Sequence, residues 1–478
     1  MQRRTFLKAS AAVGAVASVG GYKLYTMPGA GQLVAASDDV QFLGADFPYT
    51  SVWAFNGQVP GPVLRYAQGD RLQIELWNRL RQPTTIHWHG IRLPNEMDGV
   101  PGITQPAVLP GERFQYDFVL PDAGTFWYHP HFATYEQIGR GLYGVLVVDE
   151  YPRPDVDQDI ILVLSDVNID ERAQIMGDFK NLHDTSHAGR LGNVILVNGQ
   201  KVPATLQAQP GSRLRLRVVN ASSARIYKLR FHNSLPTIAA IDGHPCELFQ
   251  AFEQLYFSPG NRFDFILDMP AGSGPLPWIE DDFFPAMRKP LAQFAVDNRP
   301  ALAARGFFPG LPPNAIMAEE PDKAVGVVLT LEGGALSNKA TREHVWLING
   351  QGNSHDHSHM DGHGQSPEPL FTVEQGCTVR CIIDNRTAWF HPMHFHGVVL
   401  RERLKNGGWG PLRDATLVWP FTKQEVMFRA DLPGDWMIHC HVSEHHHSGM
   451  MTTFRVVGGL CVSPRIDLPL LPRGGVRL

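Results

Sequence analysis

Runs of about 18 or more consecutive apolar residues, the length an ordinary membrane helix needs, are missing from this 478-residue chain. An excess of basic charge is missing too: 42 Lys and Arg stand against 47 Asp and Glu, a net charge of −5. That balance argues against nucleic acid as a partner. Five cysteines are too few for a disulfide scaffold in a chain of this length. Long stretches of helical periodicity are scarce. What is plentiful is glycine (46), proline (37) and histidine (21). With 43% apolar and 19% charged residues, the composition is that of a packed, turn-rich, all-β protein. The histidines are clustered.

The chain opens MQRRTFLKAS and continues into a weakly apolar stretch. Arg3 and Arg4 ahead of Thr5-Phe6-Leu7-Lys8 resemble a bacterial twin-arginine export signal. The expected leader is 1–36, with cleavage near Val34-Ala35-Ala36; it carries four basic and no acidic residues. The mature protein is then expected in the periplasm or outside the cell, after handling by the twin-arginine export machinery.

One strand pattern occurs three times: GDRLQIELWN from Gly69, GSRLRLRVVN from Gly211 and GCTVRCIIDN from Gly376. Each places Asn nine residues after Gly and alternates in period two, with Leu72/Ile74/Leu76, Leu214/Leu216/Val218 and Val379/Cys381/Ile383 on one face. Such alternation predicts a half-buried strand. An Asn-Gly pair precedes each copy, at Asn56, Asn198 and Asn349; the third spacing is about fourteen residues longer. Later segments match as well, at 109–121, 258–270 and 419–433. The pattern predicts three β-sandwich domains, at 37–150, 155–300 and 320–462, joined at 151–154 and through the Pro/Gly-rich 300–321.

Counting from the repeat Asn puts histidines at +9 and +11 in domains one and three: His87 and His89 in HWHG, His394 and His396 in HFHG. Domain two has Leu229 and Phe231 there. A second pair follows at matched offsets, His129 and His131 in HPH, and His439 and His441 in HCH. Histidines two apart on a strand share a face, and neutral imidazole is a common metal ligand. Eight of them exceed the four ligands of a structural zinc and suit a cluster of two or three metals. Cys440 faces away from its flanking histidines. With His391, His445 and Met450 it supplies the thiolate, imidazoles and thioether of a blue-copper electron-transfer site. One strand would then join an electron-accepting site to a multi-metal site.

These motifs, HWHG (87–90), HPH (129–131), HPMHFHG (391–397) and HCHVSEHHHSGM (439–450), resemble the four copper signatures of the three-domain multicopper oxidases. The resemblance spans nearly the whole mature chain. It implies three cupredoxin-like Greek-key β-sandwiches and four copper ions. Type 1 copper would be held by His391, Cys440, His445 and Met450, and type 2 by His87 and His394. The type 3 pair would be held by His89, His129, His131, His396, His439 and His441. The implied activity is laccase-like: one-electron oxidation of phenols, aromatic amines or metal ions, with O2 reduced to two waters. A cuprous oxidase for copper tolerance is the alternative; a cell-division or copper-storage scaffold without turnover fits less well, because every ligand position is filled. A copper nitrite reductase lacks the type 3 pair. The expected partners are a small reductant and O2, with no nucleic acid, no membrane span and a monomeric chain.

The resemblance also marks Asp98, in NEMDG, as an acid that hydrogen-bonds water near type 2 copper and serves the protons that O2 reduction consumes. Its bland reading is an Asp in a D-G turn. Met450 as axial ligand implies a low-to-middle potential, with Met451 the competing candidate. His446 stands where bacterial members often have a Glu proton relay, a role imidazole can fill near neutral pH. The extra residues of the third repeat form a polar segment with His355, His357, His359, Met360 and His363. A solvated loop is the expectation, Cu(I) delivery the alternative. Cys377 and Cys381 are too far apart on one strand to bridge. Cys246 and Cys461 could pair with each other or with Cys377. The segments 170–192 and 404–414 are candidates to border the type 1 pocket.

Overall fold

The computed structural model describes residues 31–251, 255–341, 344–353, 368–459 and 461, with short strands at Ala17–Val19, Tyr22–Leu24 and Thr26–Pro28. The arginine pair and apolar stretch of the leader, and the histidine-rich 354–367, lie outside the described residues.

Each of the three repeat units builds two packed sheets. The repeat strands Arg71–Asn78, Arg213–Asn220 and Cys377–Asn385 take one place in all three. Each runs parallel to its unit's first strand, Gly31–Val40, Gln158–Val167 or Val325–Gly333. Each runs antiparallel to Arg113–Val119, Arg262–Asp268 or Lys423–Ala430 on its other side. The expected core faces are buried throughout.

The repeated asparagines have a physical cause. In each Asn-Gly turn the Asn backbone is left-handed, φ 53°, 51° and 51° at Asn56, Asn198 and Asn349, a conformation Asn tolerates better than most residues. Its side chain then bonds the first strand from both ends. Oδ1 accepts from the N–H of Val34, Val163 or Thr330, and Nδ2 donates to the carbonyl of Gln32, Ile161 or Val328. The Asn that ends each repeat strand braces the loop beyond it. Asn78, Asn220 and Asn385 accept from the N–H two residues on and donate to two carbonyls across the loop. That loop delivers the strands His87–His89, Tyr227–His232 and His391–Phe395, two of which carry the candidate ligands.

The leader boundary expected at 36 lies within the strand Gly31–Val40, where Leu33 and Ala35 are fully buried and residues 31–35 pair with 74–78. The half-buried reading of the second repeat strand fails, because its polar face is covered by domain one at Arg215 and Arg217 and by Gly306 and Phe308 at Arg213. Arg213, Arg215 and Arg217 are at most 3% exposed. They are paired with Asp268, with Glu150 and Asp264, and with Asp159 respectively. A buried guanidinium is tolerated only when paired in this way.

Among the candidate pairings, Cys377 is bonded to Cys461, 84 residues on; Cys246, Cys381 and Cys440 are free thiols. The bond ties residue 461 to the start of the repeat strand Cys377–Asn385. Cys461→Ser should cost about 2–4 kcal/mol, read as a lower melting temperature under non-reducing conditions; an unchanged melt would mean the bond constrains nothing.

Candidate metal centre

Eight histidines converge between domains one and three. The strand His87–His89 pairs with Gly124–His129, setting His87 opposite His129; His391–Phe395 pairs with Gly434–Cys440, setting His394 opposite His439. The two sets then interleave. His87 stacks on His396 at 4.0 Å between ring centroids, and His89 on His394 at 3.8 Å. His131 meets His439 at 5.0 Å, and His129 meets His441 at 5.4 Å. Each contact crosses the domain boundary. All eight are at most 3% exposed.

The surroundings fix which nitrogen of each ring is spoken for. Nδ1 of His87, His129, His394 and His439 donates to the backbone carbonyls of Asp98, Pro130, Asp414 and Cys440, at 2.8–2.9 Å. Nδ1 of His396 donates to Asp98 Oδ2 at 2.8 Å, and Nε2 of His89 to Asp414 Oδ1 at 3.1 Å. The opposite nitrogens of His87, His89, His129 and His394 are buried with no hydrogen-bond partner, as are both nitrogens of His441. Burial, then mutual repulsion, holds His89, His129, His131, His394, His396 and His441 well below the ordinary imidazole pKa, so they stay neutral. Lone pairs orphaned in a core are costly. Neutral imidazoles with outward-tethered N–H groups are what a cluster of imidazole-bound metals needs. Three-residue donor sets drawn from these histidines have ligand atoms within 4.8 Å of one another.

A second constellation lies on the other face of the same strand. Cys440 Sγ is 3.6 Å from His391 Nδ1 and 3.6 Å from His445 Nδ1, and the two Nδ1 atoms are 3.2 Å apart. The far nitrogens are tethered: His391 Nε2 to Thr387 Oγ1 at 2.7 Å, and His445 Nε2 to the His187 carbonyl at 2.6 Å. Burial depresses His445 to about 3 and pushes the Cys440 thiol far up. A thiol in that setting ionises only against a bound cation. Met450 is fully buried in the apolar cluster that contains Cys440 and Trp346, whereas Met451 packs with Val100 and Met437 in a separate one. The structure brings together one cysteine sulfur and two imidazoles, a donor set that suits copper.

The remaining candidates fall into place unevenly. Asp98 does not merely sit in a turn. Its carboxylate holds His396 and lies 3.2 Å from His87 Nδ1, so it grips imidazoles of both domains directly. His446 is buried, with its ring 4.5 Å from His439 and 5.0 Å from His131. Of the two segments expected near the thiolate, 170–192 contributes the short helix Leu182–Ser186 and the His187 carbonyl. The segment 404–414 instead ends at Asp414, on the eight-histidine cage. Asn353, the last described residue before 354–367, donates to the carbonyls of Gly449 and Met451 on either side of Met450.

Sequence reasoning missed Asp414 and Arg262. Asp414 accepts from His89 through its carboxylate and from His394 through its backbone. Arg262, from domain two, which supplies no cage histidine, grips that carboxylate with two bonds of 2.9 and 2.6 Å. Its other donors reach the carbonyls of Thr125, Gly260 and Asp242. Gly90, the last residue of HWHG, is required here: its φ is +88°, and a Cβ would lie 2.3 Å from Arg262 Nη2 and 2.4 Å from Asp414 Oδ2. Glu444 was also passed over; burial raises its carboxyl to about 7.

Three family models, each described as multicopper oxidase, match residues 38–153, 158–275 and 338–459; a twin-arginine translocation signal model matches 1–20. The chain is 28% identical to the multicopper oxidase MmcO of Mycobacterium tuberculosis, over 93% of this chain and 91% of that one. Among solved structures it is similar to a multi-copper oxidase from Pseudomonas thermotolerans, with TM-score 0.79, 30% identity, and coverage of 91% and 100%. It is also similar to a multicopper oxidase from Campylobacter jejuni described as a metallo-oxidase, with TM-score 0.74, 25% identity, and coverage of 91% and 92%.

Arg262→Met should leave the Asp414 carboxylate buried and unpaired, at a cost of about 3–5 kcal/mol in urea unfolding. Arg262→Met with Asp414→Asn should recover part of that loss, since residues in one network couple. Additive losses would mean the pair is not a unit.

Proposed function

The chain belongs to the multicopper oxidase family, and from that premise we propose that it is a laccase-like enzyme working with four copper ions in the periplasm. His391, Cys440, His445 and Met450 hold type 1 copper. His87 and His394 hold type 2. His89, His129, His131, His396, His439 and His441 hold the type 3 pair. The observation that carries this is the set of orphaned, buried ring nitrogens, which on His87, His89, His129 and His394 are each opposed by a tethered N–H. Copper, when bound, supplies one-electron redox steps and the reduction of O2 to two waters. The electrons come from phenols, aromatic amines or metal ions.

The chain's own part is positioning, wiring and protons. His391 and His445 meet the Cys440 sulfur on one face of the strand, while His439 and His441 present imidazoles on the other. An electron thus crosses from thiolate to imidazole through one residue's backbone. Asp98 keeps its carboxylate on His396 Nδ1, at the seam where the two half-cages meet. There it orients a ligand and stands within reach of the protons that reduction consumes. His446, against His131 and His439, is the second proton-handling group.

A metal-ion reductant, and so a cuprous oxidase, is the second reading. It is favoured by the complete burial of His445 beneath the domain-two helix, which leaves no ligand edge for an aromatic ring to touch.

The direct test is the ratio of reductant oxidised to O2 consumed by the copper-loaded protein. Four electrons per O2 with no peroxide released is expected; peroxide as the product would refute the reading. Asp98→Asn should lower turnover by roughly 10²-fold while the blue absorption stays. Full turnover in mildly acidic buffer would remove Asp98 from proton handling.

A further inference from the structure

The two imidazoles beside Cys440 are held by different domains. His391 Nε2 is tethered within domain three, to Thr387 Oγ1. His445 Nε2 is tethered across a boundary, to the His187 carbonyl of domain two at 2.6 Å. A carbonyl only accepts, so the His445 proton sits on Nε2 and the Nδ1 lone pair faces the Cys440 sulfur. A domain that supplies none of the four candidate ligands thus decides which nitrogen of one of them is ready to bind.

His187 is the C-cap of the helix Leu182–Ser186. A helix leaves its last carbonyls without partners inside it. Here three in succession are taken by domain three: Thr185 accepts from Trp346 Nε1 at 2.7 Å, Ser186 from the Ala335 N–H at 2.9 Å, and His187 from His445. Five residues of helix do not persist alone, so these bonds govern where the helix end stands.

Trp346 is the anchor that also touches the site. It is fully buried, with its ring 4.2 Å from that of His445 and 5.1 Å from that of His391 between centroids. Its backbone N–H donates to the carbonyl of Ser448, two residues before Met450. Gly334, with φ +81°, makes room for the indole: a Cβ there would lie 2.6 Å from Trp346 Cη2. One side chain therefore packs on the face of the His445 ring and, through its N–H, steadies the segment whose carbonyl bonds that ring's edge. A metal-bound imidazole that donates its outer N–H to a carbonyl is the more electron-rich for it, and an electron-rich ligand favours the more highly charged state of the ion.

We propose that Trp346 is a positioning residue for the electron-accepting site: by holding Thr185 it keeps the His187 carbonyl on His445, and so lowers the potential at which that site takes an electron. This rests on the reading of His391, Cys440, His445 and Met450 as the type 1 ligands. Domain two then limits which reductants the site can oxidise, although it binds no copper there.

The test compares three variants with the parent protein. Trp346→Phe keeps a ring against His445 and removes the N–H. Gly189→Ala strains the same carbonyl from the other side without touching Trp346: at φ +83°, a Cβ would lie 2.6 Å from Val442 Cγ1 and 2.9 Å from Glu444 Oε2. Trp389→Phe is the packing control, since Trp389 meets Trp346 ring to ring at 5.3 Å. In the copper-free proteins, amide hydrogen exchange across 182–190 should be about tenfold faster in the first two variants and unchanged in the third. In the copper-loaded proteins, redox titration of the blue absorption should give a higher potential for the first two and the parent value for the third. Faster exchange with an unmoved potential overturns the proposal, because Trp346 would then serve the helix alone. An equal shift in Trp389→Phe overturns it as well, by making packing the cause. If Trp346→Phe does not fold, Gly189→Ala decides by the same two readings. A loaded parent protein without blue absorption would refute the type 1 reading and the proposal with it, whereas a blue parent with unmoved variants sinks the proposal alone.

Discussion

The guanidinium of Arg262 spends every one of its N–H donors in the core, on groups from all three domains: Thr125 of the first, Gly260 and Asp242 of the second, and Asp414 of the third. Asp414 in turn holds His89 of the first domain and His394 of the third. Domain two owns none of the cage imidazoles, yet this one side chain sets the relative position of the halves that do. The glycine of HWHG exists to let the pair approach. Asp98 makes the complementary link from the opposite side, binding His87 and His396. Between these two carboxylates the cage is held with its unpartnered nitrogens inward, an arrangement that is costly until a cation satisfies it.

The same economy explains the wiring. Alternation along Gly434–Cys440 and on to His441 puts the sulfur and the flanking imidazoles on opposite faces. The two constellations are therefore neighbours in sequence and separate environments in space. The sulfur side is dry and apolar, closed by Trp346 and the domain-two helix. The imidazole side is lined by carboxylates and His446, suited to a reaction that consumes protons.

Much of this was legible in the sequence because it repeats or sits at short spacing. The alternating repeat strands, the Asn-Gly turns, the H-x-H pairs and the Cys440 neighbourhood are local patterns, and the structure places each where the pattern requires. What was not legible is what crosses domains. Arg262 and Asp414 are 152 residues apart and carry no periodic mark. Arg215 and Arg217 looked like a solvated face because burial by another domain leaves no trace in a strand's own alternation. The partner of Cys377 could not be chosen among candidates by spacing. Around residue 36, small residues that suit a cleavage site also suit a packed strand, so the sequence does not separate the two.

One strand serves two sites at once, and the measurement that tests this most directly is copper content together with the optical and paramagnetic spectra of the protein and of Cys440→Ser. The intact protein should hold four coppers with an intense thiolate-to-copper absorption. The variant should lose that absorption and a single copper, while the signals of the imidazole cage remain. A variant that lost the cage copper as well, or an intact protein with no thiolate absorption, would contradict it.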